Sequence, residues 1–160
     1  MRVESLRQHE TTISPQASFL ILCGLNTLAL RMDQHCNSAH ALALTLEAHP
    51  SVAWVRYPFL NSHPDHEIAR RQMSDGSGMF AFGLQSGAEG ATAMMGRLRL
   101  IRSGGNLAEV GSFICGSARL TNAVICPLPG AKSAIALAMT SYDEDAEDLV
   151  GDLLMTLDFA

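Results

Sequence analysis

One stretch of the chain constrains its fold more than any other, because its apolar and small residues recur every three or four positions. The stretch begins at "ISPQASF", where Ser14 suits the N-cap of a helix and Pro15 suits its first turn. Steps of three and four align residues along one side of an α-helix. The aligned residues are Leu22, Leu25, Ala29, Met32, Cys36, Ala39, Ala43 and Leu46. The pattern therefore predicts one long helix from Pro15 to about Ala48.

Prolines and glycines mark the ends of the elements that follow. The long helix must stop before Pro50, because a residue that precedes proline avoids the α region, and Gly24 is a candidate position for a bend. The apolar runs predict strands over Val52–Tyr57 and Met79–Leu84, and a third strand in "SAIALAM". Further helices are predicted in "NSHPDHEIARRQM", over residues 88–98, and in "SYDEDAEDLVGDLLMTL".

The last helix is well defined by the sequence, whereas the segment before the "SAIALAM" strand is not. Acidic residues in the first turn of the last helix complement its dipole. Its predicted buried side consists of Leu149, Val150, Leu153, Leu154 and Leu157. Residues 99–132 predict one short strand and a long excursion with turns at Gly104–Gly105 and Pro127–Gly130.

This order of elements predicts an α/β (α+β) domain, in which helices cover one face of a small, mainly antiparallel sheet. Residues 1–13 are predicted to form a polar N-terminal segment, and residues 14–160 a single domain. The long first helix would extend beyond so small a sheet. Its exposed part is therefore expected to pack on something that this chain does not supply.

Composition excludes several classes of partner. A net charge of −5 gives no electrostatic reason to expect nucleic acid or an anionic membrane surface. No run approaches the roughly 20 apolar residues that span a bilayer, and the charged start "MRVESLRQHE" is unlike a secretory signal. The cysteines Cys23, Cys36, Cys115 and Cys126 lack paired spacing, so buried thiols of a cytoplasmic protein are expected.

Several histidines and cysteines are candidates for ligands or catalysts. Cys36 and His40 are four residues apart on the first helix, but no third ligand follows at a usual metal spacing, so a helix-packing cysteine beside a surface histidine is favoured. His63 and His66 flank a helix start, where a capping or surface role is favoured over acid–base work. "RSGGN" has the glycines of an anion-binding turn but no helix signal after it. No catalytic residue and no metal site is predicted in this chain.

The quoted motifs carry a resemblance to a known family. "ISPQASFLILCGLNTLALRMDQHCNSA", "LEAHPSVAWVRYPFLNSHPDHEIARRQMSDGSGMFAFGL" and "EDAEDLVGDL" occur in the order found in the C-terminal domain of the Cys/Met-metabolism enzymes that use pyridoxal 5′-phosphate. "LRMDQHC" and "ARRQM" resemble the methionine γ-lyase and sulfhydrylase branch, and the family also includes cystathionine γ-synthase. The resemblance covers nearly the whole chain from Ser14.

The resemblance implies a carbon–sulfur enzyme with the fold-type I, aminotransferase-like architecture. In such enzymes the cofactor supplies an electron sink for elimination or replacement at the γ-carbon of a sulfur amino acid. A large domain contributes the cofactor lysine, and the C-terminal domain holds the substrate carboxylate and closes the site. The usual assembly is a homotetramer. The expected partners are therefore a sulfur amino acid, a large cofactor domain and further copies of the chain.

Two positions depart from the family pattern. The chain has ten arginines but a single lysine, Lys132, whose context "LPGAK" is unlike the family's lysine motif, so pyridoxal phosphate is not expected to bind this chain alone. Counting back from "EDAEDL" places Ala138 where the family has its carboxylate-binding arginine. Alanine cannot replace the two charge-assisted hydrogen bonds of a guanidinium group.

Three residues are candidates for substrate binding by resemblance. Aligning "EVGSFICGSARLT" with the family's loop places Asn106 at the polar anchor and Ser112 and Thr121 at positions that the family also fills with hydroxyl residues. An ordinary turn residue after Gly104–Gly105 is the alternative for Asn106. Two hypotheses stay open: a substrate-closing domain of a sulfur amino acid enzyme, or a catalytically inactive domain retained for oligomerisation or binding.

Overall fold

The computed structural model describes residues 13–103, 111–116, 134–138 and 145–157. Its contacts divide the chain into two compact units, Met1–Arg31 and Met32–Ala160. The predicted boundary between residues 13 and 14 stays a prediction. The predictions that concern residues 1–12, 104–110, 117–133 and 139–144 lie outside the described residues.

Helix α1, Pro15–Leu25, belongs to the first unit and begins as the sequence predicts. The Ser14 side chain accepts a hydrogen bond from the Ala17 N–H at 3.1 Å, which satisfies one of the free donors of the first turn. None of the helix's residues is buried. Four consecutive large apolar side chains are 54 to 65% exposed: Phe19, Leu20, Ile21 and Leu22.

The predicted single long helix is two helices in the structure. Helix α2, Leu28–Glu47, begins after a break at Asn26 and Thr27, two residues beyond the predicted bend at Gly24. The Gly24 carbonyl accepts hydrogen bonds from the Arg31 guanidinium at 2.8 Å and from the Thr27 hydroxyl at 3.4 Å. These side chains stabilise the break because they bind a carbonyl oxygen at the end of α1.

The buried face of α2 starts only in the second half of the predicted stripe. Its buried residues are His35, Cys36, Ser38, Ala39, Leu42, Ala43 and Leu46. The stripe prediction is confirmed for Cys36, Ala39, Ala43 and Leu46, whereas the four stripe residues before them are exposed.

A sheet of five short strands forms the centre of the second unit. The strands are β1 (Val52–Arg56), β2 (Met79–Leu84), β3 (Arg102–Ser103), β4 (Phe113–Gly116) and β5 (Ala134–Ala138). Their spatial order is β1-β2-β5-β4-β3, and every neighbouring pair is antiparallel except β3 and β4. The prediction of a small, mainly antiparallel sheet is confirmed. The segment predicted to hold one short strand contributes two, β3 and β4.

Helices α3 (His66–Gln72), α4 (Gly87–Met95) and α5 (Ala146–Leu157) complete the described elements. Helix α4 ends three residues before its predicted end, because Gly96 follows Met95 and glycine is a poor helix former. Helix α5 buries Leu149, Leu153 and Leu157 as predicted, whereas Val150 and Leu154 of the predicted buried side are only partly buried.

The core lies between the sheet and the helices on one of its faces. Phe80, Phe82 and Leu84 alternate along β2 and pack with Leu42 and Leu46 of α2 and with residues of α4 and α5. This arrangement confirms the predicted α/β class with helices on one face.

Candidate functional site

Of the three predicted substrate residues, the structure describes one. Ser112 immediately precedes β4, its exposed fraction is 0%, and its carbonyl accepts a hydrogen bond from the Arg102 N–H at 3.0 Å. Asn106 and Thr121 lie outside the described residues, and so does Lys132. The proposed contact of Ser112 with a substrate therefore stays a prediction, while its backbone joins the ends of β3 and β4.

The register of the sheet places Ala138, which the motif count aligned with the family's carboxylate-binding arginine, beside two other strands. Ala138 pairs with Met79 on β2 and with Phe113 on β4. The Met79 side chain is 43% exposed, and Phe113 is buried. Both of these strand partners are apolar residues. Neither of them offers a substitute for the charge of the family's arginine.

Asp152 on α5 is a functional candidate that the sequence reasoning missed. Its side chain is 4% exposed, and the Asp152 carboxylate accepts backbone hydrogen bonds from Arg99, Leu100 and Ile101. The predicted buried side of this helix contained only leucines and valine. A polar residue three positions after Leu149 and one before Leu153, on the buried stripe, was the available signal.

A second polar cluster joins α2 to the loop before β2. The Tyr57 side chain is fully buried, and its hydroxyl lies 3.1 Å from the Ser77 carbonyl and 3.3 Å from the Cys36 carbonyl. The predicted strand Val52–Tyr57 ends one residue early in the structure, at Arg56. The hydroxyl of Tyr57 instead joins this loop to α2. The His40 ring stacks on the Tyr57 ring with centroids 5.8 Å apart.

Burial changes the acidity of this cluster. Burial raises the pKa of the Cys36 thiol above its ordinary value of 9.0, and the charge of Asp75 raises it further, while a hydrogen bond from the Ser77 backbone acts in the opposite direction. Burial also raises the pKa of the Tyr57 phenol above its usual range, with contributions from Cys36 and Asp75. Both groups stay protonated at neutral pH, so the cluster is a hydrogen-bonded structural unit rather than a source of a nucleophile.

The loop from Ser74 to Gly78 follows a tight path around Tyr57. A Cβ atom at Gly76 would lie 2.5 Å from Cζ of Tyr57, and one at Gly78 would lie 3.0 Å from Cβ of His35. Ser77 between them has a φ of 77°, a backbone angle that residues other than glycine rarely adopt. The contacts with Tyr57 and α2 hold the loop in this strained conformation.

The histidines considered as ligands have local partners. The Asp65 N–H donates to Nδ1 of His63 at 3.2 Å, and Nδ1 of His66 lies 3.2 Å from the Pro58 carbonyl oxygen. Cys36 is buried, as the packing interpretation predicts, whereas His40, predicted to be a surface histidine, is half-buried and stacks on Tyr57. Within the described ranges, no three histidine, cysteine or acidic side chains come together as metal ligands would.

Two of the surface cavities in the described part of the second unit are lined by charged side chains. One, of about 250 Å³, lies along the edge strand β1, and its lining includes Glu47 and Ser62, whose side chains are hydrogen-bonded to each other. The other, of about 290 Å³, is lined by Arg97, Arg99 and Asp152, together with Met155 and Thr156. Neither contains a lysine.

None of the helices described here is both long enough and apolar enough to cross a membrane.

The comparison with known sequences decides the family. A profile of the Cys/Met metabolism PLP-dependent enzymes matches residues 3–158. The chain belongs to this family. The resemblance stated from the motifs is thereby confirmed, and with it the family's link to pyridoxal phosphate and to sulfur amino acids.

Individual relatives within the Cys/Met metabolism family are moderately similar. The chain is 36% identical to an L-methionine gamma-lyase of Pseudomonas deceptionensis over 88% of its own length. It is 34% identical to an O-succinylhomoserine sulfhydrylase of Mycobacterium tuberculosis over 94%, and 32% identical to a homocysteine synthase of Schizosaccharomyces pombe over 99%. The matched part is 36%, 39% and 38% of these three relatives, so the chain spans little more than a third of their length.

The described residues do not fit the family's cofactor. Pyridoxal phosphate is anchored through a lysine amine, and the described ranges contain no lysine. We therefore derive no chemical step through the cofactor in this chain.

Proposed function

We propose that this chain is the C-terminal, substrate-closing domain of a pyridoxal-phosphate enzyme that eliminates or replaces the γ-substituent of a sulfur amino acid. The cofactor lysine would come from a large domain that the chain does not supply. Membership of the family and the coverage of little more than a third of its relatives support this proposal.

Helix α1 is the observation that carries the proposal. Its large apolar side chains lie on all sides of the helix, and none is buried. A helix that is apolar all round is normally surrounded by protein, because exposing that much apolar surface to water is unfavourable. A large domain can cover several sides of α1 at once, whereas one helix of a second copy would cover a single side.

An inactive oligomerisation or binding module is the second candidate. Ala138 favours it, because both of its described neighbours in the sheet are apolar and an arginine is expected at this position in an active relative. Further copies of this chain would then be the partner. For either candidate we propose a cytoplasmic location. Of the cysteines predicted to be buried thiols, Cys36 is buried, whereas Cys23 is exposed and Cys115 is half-buried.

The test is a chimera. This chain replaces the matching segment of the methionine gamma-lyase of Pseudomonas deceptionensis, and the purified product is assayed for the yellow colour of bound cofactor and for ketoacid and thiol release from methionine. The enzyme proposal expects both with Ala138 in place. Colour without turnover, with turnover restored by Ala138→Arg and not by Ala136→Arg, would favour the module instead.

A separate measurement tests the role of α1. The chain is mixed with the cofactor-binding portion of the same relative, and association is followed by analytical ultracentrifugation. Phe19→Ser should weaken association by about tenfold or more, because it removes an apolar anchor from α1. Ile68→Ser is the control, since Ile68 is a 44% exposed apolar residue on α3. Equal effects of the two substitutions would contradict the proposed role of α1.

A further inference from the structure

The Asp152 carboxylate accepts hydrogen bonds from three successive backbone N–H groups, those of Arg99, Leu100 and Ile101. One carboxylate oxygen, Oδ2, lies 2.9 Å from the Leu100 nitrogen and 3.1 Å from the Ile101 nitrogen. The Arg99 N–H donates to both oxygens, at 2.9 Å to Oδ1 and 3.2 Å to Oδ2. These bonds join residues that are 51 to 53 positions apart in the chain.

Three successive backbone N–H groups that converge on one point form an anion-binding concavity. Here the anion is a side chain of the same molecule. Hydrogen bonds from N–H groups to a carboxylate are stronger than those to a neutral oxygen. Without the carboxylate, the buried Ile101 N–H would lose its partner, and an unpaired buried donor is costly.

The hydrogen bonds of the Asp152 carboxylate also affect the residues that follow Ile101 in the chain. The Ile101 side chain is 2% exposed and belongs to the core. The next residue, Arg102, donates its N–H to the Ser112 carbonyl and opens β3. β3 pairs with β4 through Arg102 with Phe113 and Ser103 with Ile114. Residues 99–101 lead directly into these pairs, so the way they are held bears on the position of β3.

We propose that Asp152 is a positioning residue, whose carboxylate sets where β3 and the start of β4 lie in the sheet. Through the Arg102–Ser112 bond it positions Ser112 and Phe113, and Phe113 is the β4 partner of Ala138. The purpose of this positioning, substrate closure, rests on the proposed function. The hydrogen bonding of the carboxylate to the backbone is independent of that function, and it is tested without cofactor or substrate.

The experiment measures amide hydrogen exchange by NMR on the full chain. In Asp152→Asn the charge and one acceptor oxygen are lost, so protection should fall by about tenfold or more at residues 99–103 and 112–114. The amides of α2 and of β1 should keep their relative protection. Asp148→Asn, which removes an exposed acid from the same helix, is the control and should change neither group.

A uniform loss of protection across both groups would overturn the proposal, because it would mean that Asp152 contributes only to global stability. Asp152→Ala with added formate gives an independent readout. Formate has the size of the missing carboxylate, and the cavity beside Arg97 and Arg99 gives it access. Recovery of most of the lost protection at residues 99–103 in formate, and not in chloride of equal ionic strength, supports the proposal. Failure of formate to act, together with unchanged exchange in Asp152→Asn, would also overturn it.

Discussion

The predicted apolar stripe runs through both helix α1 and the second half of α2, and the two parts have very different surroundings. Between Ala39 and Leu46 the stripe residues of α2 are 0 to 1% exposed, whereas Leu22 and Leu25 on α1 are 60% and 52% exposed. The buried stripe faces a sheet whose strands come from distant parts of the sequence. Periodicity therefore identifies a helix and the side that seeks burial, but it does not identify the partner.

The largest expected change in stability comes from comparing two leucines on helix α2, one buried and one exposed. Leu42→Ala should lower the free energy of unfolding by about 2 to 5 kcal/mol, because it leaves a cavity at a side chain that is 1% exposed. Leu30→Ala, at a side chain that is 72% exposed, should change it by less than about 0.5 kcal/mol. Urea denaturation followed by circular dichroism measures both. Similar losses for the two variants would show that Leu30 is buried in solution, which would break the comparison.

Alanine substitution of one glycine in the Tyr57 loop and of one glycine on α1 compares the effect of one added methyl group in the two regions. Gly76→Ala should cost about 1 to 3 kcal/mol, since the new Cβ would overlap the buried Tyr57 ring. Gly24→Ala on α1 meets nothing within 4 Å and should instead raise stability by about 0.5 to 1 kcal/mol, because glycine disfavours a helix interior. Thermal melts of the two variants measure this. A stabilised Gly76→Ala would contradict the packing of the Tyr57 cluster.

The pH dependence of stability should reflect the two buried ionisable groups of the Tyr57 cluster, Cys36 and Tyr57 itself. The pKa of Cys36 and that of Tyr57 are raised in the folded state, so at alkaline pH the unfolded chain releases protons that the folded chain retains. The stability is therefore complete below the ordinary thiol pKa of 9.0 and falls as the pH rises, by up to about 1.4 kcal/mol per pH unit for each group.

Denaturation between neutral and alkaline pH measures this dependence. Cys36→Ala should make the decline shallower, because it removes one of the two groups. Cys23→Ala, on the exposed helix α1, is the matched control and should leave the slope as it is. An equal change of slope in both variants would count against the assignment to the buried thiol.

The smallest expected effect concerns backbone strain. Ser77→Gly should raise the free energy of unfolding by about 0.5 to 1 kcal/mol, because glycine adopts a φ of 77° without the cost that serine bears. Asn26→Gly, at the break between α1 and α2, should lower it slightly, since Asn26 has an ordinary φ of −60°. Chemical denaturation resolves the two signs. A loss of stability in Ser77→Gly would mean that the Ser77 hydroxyl, 3.2 Å from the Met79 nitrogen, outweighs the strain.

Local signals predicted most elements to within a few residues. Ser14 and Pro15 define the start of α1, and β2 spans Met79–Leu84 as predicted, because capping and strand alternation act over a few neighbouring residues. The break at Asn26 and Thr27 was placed two residues early, because it depends on the Arg31 side chain reaching back to Gly24. Residues 99–132 were predicted to hold one short strand without assigned bounds, and the described part of the segment contains two, β3 and β4, because their pairing depends on strands that are distant in sequence.

The candidate site was predicted less completely than the fold. The assignment of Asn106, Ser112 and Thr121 to substrate binding, and of Ala138 to the family's arginine position, rests on resemblance and stays a prediction. Asp152 was missed, because its partners are backbone N–H groups about 50 residues earlier in the chain, and backbone groups have no sequence signature.

The amino-acid sequence by itself determined the helix and strand types, the family, and the lack of a second lysine besides Lys132. These follow from local periodicity, capping chemistry and motif order. Only the tertiary structure decided which half of the long apolar stripe is buried, why Ser77 keeps a left-handed backbone, and which N–H groups the Asp152 carboxylate binds. Burial and hydrogen bonding depend on surfaces that meet in space after the chain has folded, and no local pattern records which surfaces those are.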